Sequence, residues 1–319
     1  MTTDNLALIL LAAPAAMLLT SVAAVRYPGP RPRLVERLGV GAAAFGMLVA
    51  AVAVGLLLVR GPMQSALLGV QGIGFSIRFD PLSMIMFTMI ALLSFNIVRF
   101  SRTYMDGDPR QGVFLGRLSA TIASVQLLVL SGNLGLLVAA WILTSLTLHG
   151  LLVFYRERRG AVVAARKKFI AARIGDVSLI GAATLLYLQF GSGDLETIFT
   201  ALRELPADRG IPQFVEGAAL LIAVAAILKS AQFPTHSWLV EVMETPTPVS
   251  ALLHAGVVNA GGFLLIRFAD VMLLAPGVLA VLVVLGGFTA LIGGLAMLAQ
   301  PSVKTLLAWS TIAQMGFMT

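Results

Sequence analysis

Lys229 closes an apolar run, Ala218 to Leu228, and is followed by Ser230-Ala231-Gln232-Phe233-Pro234. An ammonium group near the middle of a bilayer costs roughly 2.5–3.5 kcal/mol on insertion scales, so an ionisable residue there is a functional candidate by default. Pro234 lies five residues on and breaks the same helix. A cation beside a helix break, deep in lipid, is the pattern of an ion or proton path. The structural alternative is a lysine near a helix end whose amine snorkels to the interface.

Four further groups could share that chemistry. Arg173 and Asp176 are three residues apart and can meet on one helix face. Asp176 is a potential counter-ion for Lys229, because a carboxylate within about 4–6 Å favours the charged amine. Equally, the Arg173–Asp176 pair could simply fix a helix end near the headgroups. His254 lies inside an apolar segment after Pro246-Thr247-Pro248, with Asn259 one turn beyond. Its titration range suits a proton relay, and a packed core histidine is the alternative. His149 follows Ser145 by one turn and either relays protons or makes an interhelical hydrogen bond. His236 with Glu241 or Glu244 is a weak metal signal whose spacing matches no familiar ligand pattern. Neither a phosphate-binding glycine loop nor a nucleophile elbow is present. With no cysteine, thiolate catalysis, disulfides and cysteine metal sites are excluded.

The elements that must position these groups are membrane helices. Hydrophobic residues make up 58% of the chain and charged residues 12%, against about 25% charged in soluble domains. Mean hydropathy is +0.94. The pattern predicts an all-α polytopic membrane protein with about ten spans, near 5–25, 38–59, 80–98, 114–131, 134–155, 169–190, 215–233, 247–268, 275–298 and 303–319. Asp4 argues against a cleaved signal peptide. Residues 65–79, with Gly69, Gly72 and Gly74, read as a short outer hairpin. The Thr235–Pro246 segment, bearing Trp238, reads as interfacial.

Charge sets the orientation. Arg26, Arg31, Arg33 and Arg37 lie between spans 1 and 2, and Arg99, Arg102, Arg110 and Arg117 between spans 3 and 4. Arg156, Arg158, Arg159, Arg166, Lys167 and Lys168 lie between spans 5 and 6, and Lys304 precedes span 10. The 191–214 loop is instead acidic, with Asp194, Glu196, Glu204 and Asp208 against Arg203 and Arg209. The positive-inside rule then places the N-terminus outside, periplasmic in a bacterial inner membrane. The net charge of +7 reports these loops; no aromatic-basic interleaving points to nucleic acid, and the expected environment is the lipid bilayer. The sequence stops with its last helix still running, so either the chain is truncated or a partner covers this end.

Several motifs carry a resemblance. Lys229-Ser-Ala-Gln-Phe-Pro234-Thr-His-Ser-Trp238 with Pro246-Thr-Pro248-Val-Ser-Ala-Leu-Leu-His254 is a long, specific signature. With Phe79-Asp80-Pro81-Leu82-Ser83, Arg173-Ile-Gly-Asp176 and Lys304-Thr-Leu-Leu-Ala-Trp309, it resembles the proton-antiporter-like membrane subunits of respiratory complex I and of multisubunit sodium/proton antiporters. The resemblance covers essentially the whole chain. It implies inverted five-helix repeats: residues 1–110 as helices 1–3, residues 111–270 as the first repeat with a broken helix 7, and residues 271–319 as the start of an incomplete second repeat. It also implies that Lys229 is the central lysine, His254 the relay on the next helix and Lys304 a basic position opening the tenth.

One departure narrows this. Complex I subunits of this type carry a glutamate directly after the tryptophan of the fifth helix; here Trp141 is followed by Ile142. Trp141-Ile-Leu-Thr-Ser145-Leu-Thr-Leu-His149 with Phe154-Tyr155-Arg156 is similar instead to DabB-type subunits of inorganic carbon uptake systems. That resemblance implies a transport and coupling subunit without a catalytic site or cofactor of its own, working with a DabA-like zinc protein that resembles carbonic anhydrase. A respiratory or antiporter pump subunit, and a non-conducting scaffold, remain the alternatives at this stage.

Overall fold

A computed structural model describes residues 6–70, 72–205, 212–242 and 245–319; Asp4, Asp208, Arg209 and Glu244 fall outside them. In chain order, a 3-10 turn, Ala7–Leu11, runs into α1 (Ala12–Arg26), followed by α2 (Arg33–Arg60). A hairpin comes next: β1 (Met63–Gln64), β2 (Leu68–Val70), β3 (Ile73–Phe75) and β4 (Arg78–Phe79). Then come α3 (Pro81–Tyr104), α4 (Gln111–Leu130), α5 (Leu134–Leu152), α6 (Arg159–Phe190) and α7 (Leu195–Arg203). The remainder is α8 (Gln213–Lys229), α9 (Ser237–Glu241), α10 (Thr247–Leu252), α11 (Ala260–Arg267), α12 (Ala269–Leu273), α13 (Pro276–Leu298) and α14 (Val303–Met318).

Among the described residues, seven helices are long and apolar enough to cross a membrane: Ala7–Arg26, α2 to α6, and α13. The three other expected spans differ in ways that matter for function. α8 has 17 residues and stops at Lys229, and α14 has 16. The segment after Pro246 is divided: α10 gives way to a π turn, Leu253–Val257, before α11 begins.

The chain forms two compact units. The first comprises Met1–Gly69, Gly74–Phe154 and Thr247–Ala255. Its core helix is α4, which packs on α1, α3 and α5. Small residues permit the α1 contact: a Cβ at Gly116 would lie 2.4 Å from Ala24 Cβ. The expected hairpin is present, with Met63 opposite Phe79 and Gln64 opposite Arg78. The Phe79–Ser83 motif is a helix start. Asp80 caps α3 by accepting from Ser83 N at 2.8 Å, Pro81 occupies the first turn, and Ser83 Oγ donates to Val129 O at 2.8 Å.

The second unit comprises Val70–Ile73, Tyr155–Pro246 and Gly256–Thr319. Its two principal pairs are α6 with α8 and α13 with α14. Glycines bring the latter close, since a Cβ at Gly316 would lie 2.5 Å from Ala290 N and 2.6 Å from Gly286 O. α6 begins ten residues before the expected span. Arg159, Arg166, Lys167 and Lys168 are therefore helical residues, not part of a loop. The 191–214 stretch contains α7, whose Leu195, Ile198, Phe199 and Leu202 are buried at helical spacing.

Candidate functional site

α6 and α8 run antiparallel, and their register decides which charges meet. A Cβ at Gly217 would touch Leu185 Cδ1 at 3.2 Å, and one at Gly181 would touch Leu221 Cδ1 at 3.0 Å. At Gly175 the neighbours are Ala225 O at 3.7 Å and Leu228 Cβ at 3.8 Å. The end of α8 therefore lies against the turn that carries Arg173 and Asp176. Arg173 Nη2 and Asp176 Oδ2 are 2.5 Å apart, with the aspartate side chain 5% exposed and the arginine 34%. The Arg173 guanidinium also lies over the Phe169 ring, 5.1 Å from its centroid.

Lys229 is 6% exposed and interacts electrostatically with Asp176 and Arg173. A fourth charge joins them. Lys168 is 4% exposed and interacts with Lys229, Asp176 and Arg173. It lies two helical turns before Asp176 on the same face of α6, past the end of α8 and level with the break. Its neighbour Lys167 forms an ion pair with Glu241 on α9. Lys168, Arg173, Asp176 and Lys229 thus interact as one set of ionisable groups. Sequence reasoning assigned Lys168 to a cytoplasmic charge run. The signal that distinguishes it is periodicity: Ala161, Ala164, Ala165, Lys168, Ala172, Gly175, Asp176 and Leu179 form one buried stripe, which Arg166 and Lys167 do not join.

The expected helix break is present. After Lys229 the chain turns, with Ala231 in the left-handed region at φ 52°. Ser230 Oγ donates back to Ala226 O. Gln232 Nε2 donates to Met315 O at 2.8 Å, and Phe233 N donates to Thr289 Oγ1 at 3.1 Å, tying the break to α14 and α13. His236 stacks on Phe233 with ring centroids 5.3 Å apart and lies 5.2 Å from Trp309. Trp238 is 4% exposed and Leu239 fully buried, while Pro234 and Ser237 are exposed, so the segment has one buried and one open side. Glu241, half of the weak metal signal, is the ion-pair partner of Lys167; Glu244 lies outside the described residues. Gln232 Oε1, His236 Nδ1 and Trp238 Nε1 are buried and make no hydrogen bond among the described residues.

His254 belongs to the first unit, on the π turn, half-buried, its Nδ1 making no hydrogen bond among the described residues. π turns interrupt helices most often at functional sites. His149 is half-buried in the last turn of α5, in the same unit, with Ser145 buried one turn before it. Lys304 is the second residue of α14, half-buried. The structure thus gathers Arg173, Asp176 and Lys229 and adds Lys168.

The family model described as NADH:quinone oxidoreductase/Mrp antiporter, TM, matches residues 131–319. The model for the N-terminus of complex I chain 5 matches residues 68–115. The probable inorganic carbon transporter subunit DabB of Hydrogenovibrio crunogenus is 42% identical over 238 residues, covering 74% of this chain and 45% of that protein. The corresponding DabB2 of Halothiobacillus neapolitanus is 39% identical, covering 98% of this chain and 57% of that one. NADH-ubiquinone oxidoreductase chain 5 of Metridium senile is 36% identical over 76% of this chain and 40% of its own length. The chain therefore spans about half the length of these relatives. Among solved structures, the Mrp complex from a Dietzia species matches with a TM-score of 0.81 at 27% identity, over 97% of this chain and 33% of that one. An archaeal sulfane sulfur reductase membrane complex shares the fold, with a TM-score of 0.82 at 19% identity. The chain belongs to the antiporter-like membrane-subunit family of complex I and Mrp, and is a multi-pass membrane protein.

Proposed function

We propose that this chain is the ion-moving part of a membrane subunit that couples a cation gradient, of protons, to inorganic carbon uptake by a zinc-containing, DabA-like partner. The observation that carries the reading is the cluster of Lys168, Arg173, Asp176 and Lys229, buried beside a helix break. Four ionisable groups gathered in a low-dielectric site titrate as a coupled set, so a proton gained by one favours release from another. An amine can exchange a proton in such a set, whereas a guanidinium stays charged. Asp176 then takes the counter-ion role that a fifth-helix glutamate fills in complex I subunits, leaving Ile142 apolar. Lys168 and Lys229 are alternate carriers around it. The polar atoms of Gln232, His236 and Trp238 could hydrogen-bond a water chain along the break. His254, on its π turn, is the next relay, and Lys304 and His149 are further stations.

The hydration chemistry belongs to the partner and its zinc; this chain supplies transport and coupling. Its setting in this reading is the bacterial inner membrane, N-terminus periplasmic, with the arginine-rich turns inside. The likeness to three carbon transporter subunits at 39–43% identity supports carbon as the substrate.

A second reading, a pump subunit of a quinone-reducing complex or of a sodium/proton antiporter, draws on the likeness to chain 5 and to Mrp. Two measurements separate them. Lys229→Ala abolishes growth in air of cells that depend on this system, and unchanged growth sinks the transport role. Purification of the full-length protein brings down a large zinc protein; redox or antiporter subunits in its place favour the second reading.

A further inference from the structure

A cavity of about 730 Å³ opens at the arginine-rich ends of α2 and α3, within the first unit. The first two turns of α2 contribute Arg33, Glu36 and Arg37, with Arg31 just before them. The end of α3 contributes Arg99 and Arg102, and Asp106 follows. Both carboxylates are already engaged. Arg31 Nε donates to Asp106 Oδ1 at 2.9 Å, and Arg102 Nε donates to Glu36 Oε2 at 3.0 Å. Gln111 locks the arrangement by accepting from Arg31 N at 2.9 Å and donating to Glu36 Oε1 at 3.2 Å. The positive excess is therefore carried by Arg33, Arg37 and Arg99, which form no ion pair among the described residues.

The surroundings of these arginines say what the excess faces. Leu34 and Leu38 follow Arg33 and Arg37 along α2 and are exposed, as are Phe100 and Tyr104 on α3. The Phe100 and Tyr104 rings lie 5.5 Å apart. Both helices cross the membrane, so exposed apolar side chains at their ends face lipid, and aromatic rings gather at headgroup depth. Guanidinium groups hold phosphate oxygens through paired N–H donors, and basic pockets between transmembrane helices take acidic headgroups. We propose that this cavity binds the headgroup of an anionic phospholipid, with the phosphodiester on Arg33, Arg37 and Arg99 and the acyl chains along Leu34, Leu38 and Phe100. This holds whichever solute the protein carries.

The test is a titration of full-length protein in neutral detergent with phosphatidylglycerol, phosphatidylcholine or inorganic phosphate, read by native mass spectrometry. The expected result is preferential retention of phosphatidylglycerol, weakened about fivefold for each of Arg33→Gln, Arg37→Gln and Arg99→Gln, and about a hundredfold in the triple variant. All three side chains are exposed, so the variants keep the helical core. Three outcomes overturn the proposal. They are undiminished retention by the triple variant, equal retention of phosphatidylcholine, and displacement of phosphatidylglycerol by millimolar inorganic phosphate, which marks a small-anion pocket. Loss of the lipid when partner subunits are bound overturns it too, by assigning the arginines to an acidic protein surface.

Discussion

The α4–α5 pair and the α6–α8 pair both bury polar side chains, and they do so by different physics. On α4 and α5, three buried hydroxyls are neutral and bond within their own helix. Thr121 Oγ1 donates to Arg117 O at 2.9 Å, Ser124 Oγ to Ala120 O at 2.8 Å and Thr144 Oγ1 to Ala140 O at 2.7 Å. Each bond stays within one turn of its own helix, so it asks nothing of a neighbour. Across α6 and α8 a hydroxyl of this kind, Ser178, is joined by buried charges that interact with one another: Lys168 and Lys229 with Asp176, and Asp176 with Arg173. Neutral, locally satisfied polarity is a property of helices in membranes. Shared charge is costly to keep in a membrane, and such groups are functional candidates.

This contrast can be broken most forcefully at Asp176. Asp176→Asn leaves Arg173, Lys168 and Lys229 facing one another, and breaking a buried ion pair from one side costs about 3–5 kcal/mol. Chemical denaturation in detergent should show that loss, together with the loss of ion flux. A stability change under about 1 kcal/mol means that the carboxylate is not the hub of the cluster.

Lys168 sharpens the comparison because stability and activity should move in opposite directions. Lys168→Met removes one repelling charge and should leave stability equal or raise it by about 1–2 kcal/mol. Proton flux should fall about a hundredfold, the scale on which a positioned proton-transfer group acts. Lys168→Arg keeps the charge but cannot release a proton, so flux should fall as far. Normal flux in Lys168→Arg reduces Lys168 to a fixed charge.

Two smaller effects calibrate the scale. Gly316→Ala forces a Cβ onto Ala290 N and Gly286 O and should cost about 1–3 kcal/mol by overpacking, with flux per folded molecule retained. Ser124→Ala removes a hydroxyl that serves only its own helix, so thermal unfolding should shift by less than about 1 kcal/mol. A large effect there means that α4 holds a functional polar network.

Much of this was legible in the residues. Apolar runs located the helices, the glycine-rich stretch located the hairpin, and Pro234 after Lys229 located the break. The Arg173–Asp176 spacing foretold their ion pair. Other features were hidden for identifiable reasons. Lys168 sits beside Arg166 and Lys167, and a charge run reads as a solvated face until the small-residue stripe of α6 is traced through it. The π turn at His254 has no proline of its own and depends on tertiary packing. The burial of Trp238 was not legible either, because a tryptophan in a polar segment carries no periodic signal of packing.

The most direct test of the central claim is proton flux through liposomes holding the full-length protein with its partner subunits, under an imposed membrane potential and with an internal pH dye. With assembly intact, Lys229→Ala should reduce flux to the level of empty liposomes. Wild-type flux in that variant contradicts the account, because the buried amine at the break would then be structural.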